Sequence, residues 1–165
     1  MTPEQAIVAI LEALPSHSVT GKKRLQKLAF LLKLSGVDIE ASFQIKTYGP
    51  FSQDIELACT MLSLFGDVEE KEVVIGYAGY LATEYSLTPD ATKLEVELNE
   101  DSSELLLFLD KYPSVDLEVA ATVAFFRKNE SSIKDAISST EKLKATKVNL
   151  RTLKSSEEII ARIGL

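Results

Sequence analysis

Four basic side chains within six residues are the clearest sign of chemistry in the sequence, and they lie on a predicted helix. They are Lys22, Lys23, Arg24 and Lys27. No acidic residue occurs between positions 20 and 35, so this segment can attract an anion or the acidic surface of a partner. Because like charges three or four residues apart disfavour a helix slightly, the cluster predicts either a partner-binding surface or internal pairing. The expected internal partners are the acidic residues in 67–72 or in 95–101.

A second candidate segment lies at residues 48–52, which combine a tyrosine, a glycine, a proline, a phenylalanine and a serine. Gly49 permits unusual φ values and Pro50 fixes the next one, which predicts a tight turn. The amide of Gln26 lies in an apolar stretch of helix and needs hydrogen-bond partners if it is buried. We therefore predict that Gln26 bonds to the backbone around Gly49, in a structural motif made of Gln26, Gly49, Pro50 and Phe51. The alternative is a ligand or partner site made of Lys23, Lys27, Tyr48 and Ser52.

The residue types that usually carry catalysis are scarce. The one histidine, His17, lies in an expected solvated loop, and the one cysteine, Cys59, lies on the predicted buried face of a helix. One histidine and one cysteine cannot form the usual zinc site, and no phosphate-binding glycine motif or nucleophile elbow occurs. The carboxylates clustered at 69–72 and 99–101 are typical of hydrated turns. We predict no catalytic residue, no metal and no cofactor, and an enzyme of unrecognised type is the second alternative.

Length and composition fit a single domain over residues 1–165. The chain has 165 residues, 45% of them apolar, and a net charge of −7. A lone cysteine excludes a disulfide framework and favours a reducing compartment. The N-terminal segment lacks the basic region of a signal peptide, and no apolar run approaches the roughly 18 residues of a membrane span. We therefore expect a cytoplasmic protein without a membrane segment.

Hydrophobic periodicity and turn residues predict the elements that position these candidates. The predicted helices are 3–14, 22–34, 52–65, 89–98, 102–111, 115–128, 132–144 and 155–163, and the predicted strands are 42–48, 68–77 and 80–87. A capping box of Ser155 and Glu158 is expected to start the last helix. The order predicts an α+β, mainly helical fold. Its winged helix-turn-helix-like part spans 1–98, with an extra strand before the third helix and a β-hairpin wing, and a helical lobe spans 99–165.

The distribution of charge argues against a DNA reader of the usual kind. Residues 36–126 contain 18 acidic residues and four lysines, whereas residues 127–165 contain nine basic and five acidic residues. The third helix of a winged helix enters the major groove, but here it carries two acidic residues and no lysine or arginine. Because phosphate neutralisation supplies most non-specific affinity, we predict no nucleic-acid binding through this helix. The alternative is a transcription regulator or nucleic-acid-associated factor, which would need a basic surface joining 22–27 to 142–154.

Two segments match the signature motifs of a known family. Residues 21–31, GKKRLQKLAFL, match G-x-x-x-L-Q-K-L-x-Y-L, with Phe30 where the family usually has tyrosine. Residues 43–52, FQIKTYGPFS, match F-x-x-x-x-Y-G-P-[FY]-S, and residues 85–88 and 117–122 resemble later motifs of the same group. The chain therefore resembles the YwgA-type proteins and, more distantly, the Panacea domain of prophage antitoxins and proteolytic adaptors.

The resemblance implies an intracellular, winged-helix-like protein that acts through protein contact. Family members studied as antitoxins neutralise a toxin and some deliver it to a protease, so the implied partner is a toxin or a protease component. The expected function is a protein–protein interaction module, with antitoxin or adaptor of a mobile-element system as its implied role. Its partner-binding set is Lys22, Lys23, Arg24, Lys27, Tyr48 and Ser52. Reversal of Lys23 and Lys27 to Glu is expected to leave the fold intact and to abolish partner capture.

Overall fold

The computed structural model describes residues 1–89, 91, 96–129 and 132–165 of the chain. The first half alternates helices with short strands, in the order α1 (Pro3–Ala13), β1 (Ser18–Thr20), α2 (Lys22–Leu34), β2 (Gln44–Lys46), β3 (Gly49–Phe51), α3 (Gln53–Phe65), β4 (Val68–Ile75) and β5 (Tyr80–Leu87). The second half is helical in its described part, with α4 (Glu100–Asp110), α5 (Ser114–Asn129), α6 (Ile133–Lys144) and α7 (Leu150–Arg162). The predicted α+β, mainly helical class is confirmed.

Two antiparallel sheets hold the strands together. The larger one has the order β1-β5-β4, with Val19 opposite Tyr85 and Val68 opposite Leu87. We call the long hairpin of β4 and β5 the wing. Three helices followed by this wing confirm the predicted winged-helix order. The smaller sheet is the two-stranded hairpin of β2 and β3, between α2 and α3, which we call the small hairpin.

Local signals explain why α3 lies where the sequence predicts it. Ser52 is the N-cap, and its hydroxyl oxygen accepts a hydrogen bond from the Ile55 amide. Gly66 follows the helix in the left-handed conformation, with φ of 81°, which a glycine adopts without the steric cost of a side chain. These two residues therefore determine where the helix begins and where it ends.

The small hairpin and β1 differ from the prediction. The predicted strand 42–48 is regular only at Gln44–Lys46, because the chain turns back after Lys46 and Gly49, at φ 84°, begins a second strand. The sequence also does not predict β1, which has three residues. A segment this short shows no alternation of its own and forms a strand only because β5 pairs with it.

The last helix begins earlier than predicted. Asn149 is its N-cap and forms a capping box with Thr152, so the predicted start at Ser155 is wrong. Ser155 instead lies inside α7, where its hydroxyl donates to Asp116 Oδ2 at 2.7 Å. Half of the predicted helix 89–98 falls outside the described residues, and its described residues, 89, 91 and 96–98, are not helical.

The helix α5 connects the two halves of the chain. It packs against α6 and α7 on one side and against α2 and β3 on the other. Its residues from Leu117 to Ala124 are buried. The small hairpin is therefore held between α2 and α5, which places residues 48–52 beside the C-terminal half. In the described part of the chain, no helix combines the length and apolar character needed to cross a bilayer.

Candidate partner-binding site

A cavity of about 270 Å³ opens between α2 and the small hairpin. It is lined by Lys22, Lys23, Gln26, Lys27, Lys46, Tyr48 and Phe51. We call it the hairpin pocket. It brings together the basic cluster and the tyrosine-to-phenylalanine segment that the sequence singles out, although more than twenty residues separate them along the chain. Lys46, which is not among the predicted partner-binding residues, joins them.

Gln26 anchors the chain at the start of α3. Its Nε2 donates to Ser52 O at 2.9 Å, and its Oε1 accepts from Ser52 N at 2.9 Å. Both residues are buried. The contact thus lies at Ser52, three residues beyond the Gly49 position around which it is predicted. Ser52 uses its hydroxyl to cap α3, so each of its polar groups serves the fold.

Lys27 is a buried cation that binds the backbone of the small hairpin. It is 2% exposed, and its ammonium donates to Pro50 O at 2.7 Å. Burial lowers the pKa of Lys27 to about 8; Glu118 opposes the shift, and Lys144, Lys23 and Lys147 add to it. A carboxylate at this position would face the same carbonyl oxygen in the same buried space. Reversal of Lys27 to Glu is therefore expected to unfold the protein, unlike reversal of the exposed Lys23.

Gly49 lies against α5. A Cβ atom at this position would be 2.8 Å from Thr122 Oγ1 and 3.3 Å from Lys27 Cε. The residue also has φ of 84°, a conformation that L side chains rarely adopt. Only glycine meets both conditions, which explains physically why the tight turn has Gly49 before Pro50.

A buried ionic group lies behind the small hairpin and is not foreseen from the sequence. Glu118 Oε1 pairs with Lys144 Nζ at 2.5 Å and with Lys147 Nζ at 2.8 Å. Lys144 also donates to Thr47 O at 2.8 Å. Burial alone would raise the pKa of Glu118, but the hydrogen bonds from the two lysines outweigh it and leave that pKa below its ordinary value. The group ties α5 and α6 to the turn of the small hairpin.

Two exposed lysines lie over aromatic rings at the mouth of the pocket. Lys23 Nζ is 3.2 Å from the centre of the Tyr48 ring, and Lys46 Nζ is 3.6 Å from the centre of the Phe51 ring. Tyr48 is half exposed, and Lys147 Nζ is 5.6 Å from its ring centre. Within the described residues neither Lys23 nor Lys46 forms an ion pair. These two cations are thus open to a ligand from solvent.

The other two cations of the basic cluster have internal partners. Lys22 pairs with Glu56 of α3 at 2.7 Å. Arg24 pairs with Asp110 at 2.9 Å and also donates to the carbonyls of Asp110 and Tyr112, which satisfies the C-terminal end of α4. Internal pairing thus occurs, but with acids outside the predicted segments 67–72 and 95–101.

The third helix presents an acidic and apolar surface. Asp54 accepts a hydrogen bond from Ser42 N at 2.8 Å, and Leu64 and Phe65 are each three-quarters exposed. The helix has no lysine or arginine that could bind a phosphate backbone. Two basic groups instead meet around Tyr48, Lys23 from α2 and Lys147 from the C-terminal half.

Neither the one cysteine nor the one histidine lines the hairpin pocket. Cys59 is buried, and burial raises the pKa of its thiol to about 12. A thiol held protonated is a poor nucleophile. His17 is exposed, in a turn with φ of 48°.

No family model matches this chain. Over 114 residues the chain is 25% identical to the protein named "Uncharacterized protein YwgA" of Bacillus subtilis (strain 168), a stretch that covers 67% of this chain and 68% of that protein. The similarity supports a YwgA-like family for this chain.

Proposed function

We propose that this chain is a protein-interaction module that binds an acidic segment of a partner protein at the mouth of the hairpin pocket. The observation that carries the proposal is the pair of exposed lysine–aromatic contacts, Lys23 over Tyr48 and Lys46 over Phe51. Each lysine has an aromatic neighbour and, among the described residues, no carboxylate within ion-pair distance.

The chemistry of these contacts suits an aspartate or glutamate side chain. An incoming carboxylate can pair with the ammonium of Lys23 while its methylene groups pack beside the Tyr48 ring. The ring holds the ammonium in place before binding, which lowers the entropy lost on association. Gln26 and Lys27 hold the backbone beneath the rings through buried hydrogen bonds, so the mouth of the pocket is a rigid surface.

A nucleic-acid-associated factor is the second candidate, and one observation favours it. The basic groups of α2 and of the C-terminal half meet around Tyr48, as that alternative requires. However, Lys147 is paired with Glu118, and Lys23 lies over the Tyr48 ring where a base would stack. An acidic peptide needs only the ammonium groups, so it fits this surface better than a nucleotide does.

The role of antitoxin or proteolytic adaptor is part of the proposal and is supported by the resemblance to the Panacea domain. In that role the acidic segment belongs to a toxin or to a protease component. The geometry of the pocket predicts that the bound segment is acidic. This prediction is the same whichever of these proteins supplies the segment.

The test compares two charge-reversed double variants of the whole chain. Lys23→Glu/Lys46→Glu changes the pocket mouth, and Lys134→Glu/Lys154→Glu makes the same change in charge at two exposed positions on α6 and α7. The probes are a fluorescent peptide that alternates Glu with Ala and a single-stranded oligonucleotide, and binding is followed by fluorescence anisotropy. The pocket variant is expected to lose at least about tenfold in peptide affinity, while the control keeps most of it.

Two results would overturn the proposal. One is peptide affinity that falls equally in both variants, because net charge alone would then explain binding. The other is an oligonucleotide that binds more tightly than the peptide and is lost in the pocket variant, which would support the second candidate. Far-ultraviolet circular dichroism of each variant confirms that it is folded.

A further inference from the structure

The wing has an open edge. In the sheet order β1-β5-β4, strand β4 pairs with β5 on one side, and no strand of the described residues pairs with its other side. The edge is eight residues long, Val68–Ile75. Natural edge strands are usually shorter, covered or bulged, because an unpaired row of backbone groups can pair with another chain.

The hydrogen bonds of β5 show which backbone groups of β4 face outward. Thr83 O accepts from Gly21 N and Leu87 N donates to His17 O, so the odd-numbered residues of β5 face β1. The even-numbered residues of β5 therefore bond to β4, and their register partners are residues 69, 71, 73 and 75. The N–H and C=O groups of the residues between them point to the open edge. These are Val68, Glu70, Glu72 and Val74.

Exposed apolar side chains continue this edge to the tip of the wing. Val74 and Leu81 lie opposite each other and are 68% and 67% exposed. Ile75 and Tyr80 form the next pair, and Tyr77 lies fully exposed in the turn. Several large apolar side chains exposed together on a small surface are typical of an interaction site.

The charges of the edge select the kind of strand that fits it. Glu69, Glu70 and Glu72 outnumber Lys71, and none of the four forms an ion pair within the described residues. A second copy of β4 would add the same excess of acid opposite this one, and like charges across a strand pair destabilise it. A strand with lysine or arginine would instead place opposite charges in register.

We propose that the open edge of β4 is a second docking surface, which accepts a basic, extended segment of a partner protein by strand addition. The backbone groups of Glu70, Glu72 and Val74 supply the hydrogen bonds. The acidic side chains select a basic strand, and Val74 and Leu81 cover its apolar end. This surface shares no residue with the lining of the hairpin pocket and has the opposite charge preference.

Proline substitution tests the backbone bonds directly. Glu72→Pro removes an N–H that faces outward and leaves the ladder to β5 complete, as edge prolines do. Glu72→Thr removes the same charge and keeps the N–H, so it is the matched control. The probe is a fluorescent peptide that alternates Lys with Val. Two comparison peptides are used. One has Glu in place of Lys, and the other is a Lys-Val peptide in which alternate valines are replaced by proline.

The Lys-Val peptide is expected to bind wild type at least about tenfold more tightly than either comparison peptide does. Its affinity for Glu72→Pro is expected to be about tenfold lower than its affinity for Glu72→Thr. Equal binding by the two variants would overturn strand addition, and equal binding of the proline-containing peptide would show charge attraction alone. A concentration-dependent dimer lost in Glu72→Pro would show that a second copy is the occupant instead. Glu72→Pro is expected to bind the Glu-Ala peptide at the hairpin pocket as wild type does, so failure here and failure of the proposed function are separate results.

Discussion

Gln26 and Ser52 are joined by a reciprocal pair of hydrogen bonds, although 26 residues separate them in the chain. The side-chain amide of Gln26 acts as a neighbouring strand would, because it donates to the carbonyl and accepts from the amide of the same residue. Ser52 in turn caps α3. One side chain of α2 therefore fixes the point at which α3 begins.

Gln26→Ala is expected to lower the free energy of unfolding by about 1–3 kcal/mol, because both backbone groups of Ser52 are then buried without partners. Gln53→Ala removes an exposed amide at the next position and is expected to change the free energy by less than about 0.5 kcal/mol. Urea denaturation at constant m-value measures both. An unchanged Gln26→Ala midpoint would contradict the structural role of this residue.

Gly49→Ala is expected to destabilise the fold more than Gly66→Ala does. The two glycines have φ of 84° and 81°, so the cost of the left-handed backbone, roughly 1–2 kcal/mol, is the same. A Cβ at Gly66 meets nothing within 4 Å, whereas one at Gly49 meets Thr122 Oγ1. The difference between the two variants therefore measures the crowding of the added Cβ against α5 and Lys27.

Thr122→Ala provides the cross-check on that crowding. It removes the atom nearest to the added Cβ, so the Gly49→Ala/Thr122→Ala double variant is expected to be more stable than the sum of its single variants indicates. Additive effects in thermal or urea denaturation would show that the backbone conformation alone accounts for the loss.

The stability of the protein is expected to rise with pH between about 8 and 10.5 because of Lys27. The pKa of Lys27 is about 8 in the folded protein, against an ordinary value of 10.5 that applies to the unfolded chain. The unfolded chain therefore binds more protons in this window, and unfolding becomes less favourable as pH increases. The shift corresponds to a rise on the order of 3 kcal/mol. Lys27→Met is expected to flatten this rise, and the exposed variant Lys23→Met is expected to keep it; equal slopes would contradict the assignment.

Glu118→Gln is expected to destabilise the protein by roughly 3–5 kcal/mol, because it leaves the buried Lys144 without its counter-charge. Glu118 has a lowered pKa, so its stabilising contribution is present above its ordinary pKa of 4.5 and is lost as pH falls through the folded value. The variant is thus expected to show a smaller loss of stability in acid than wild type. Addition of Lys144→Met to Glu118→Gln is expected to restore part of the stability, and further loss would count against a buried ion pair.

The parts of the fold that sequence predicts well are those defined by local signals. Ser52 and Gly66 mark α3, and β5 is indicated by Tyr80, Tyr85 and Leu87, which suit a pleated surface. β1 and β3 carry no local signal of this kind, because a strand of three residues forms only when another strand pairs with it. In the site, the cluster at 22–27 is visible as charge, but its division into the buried Lys27, the paired Arg24 and the open Lys23 depends on tertiary contacts. Glu118 and Lys144 could not be linked to the turn, because hydrogen bonds that span so much chain leave no pattern in spacing.

The hydrogen bond from Lys144 to Thr47 spans 97 residues, and this distance determines when the pocket is completed during synthesis. A nascent chain has both α2 and the small hairpin long before α5 and α6 emerge from the ribosome. Until then Gly49 has no helix against it and the carbonyl of Thr47 has no lysine. The full set of contacts behind the pocket mouth therefore requires α5 and α6, and we expect a partner that recognises it to bind only chains that already contain these helices.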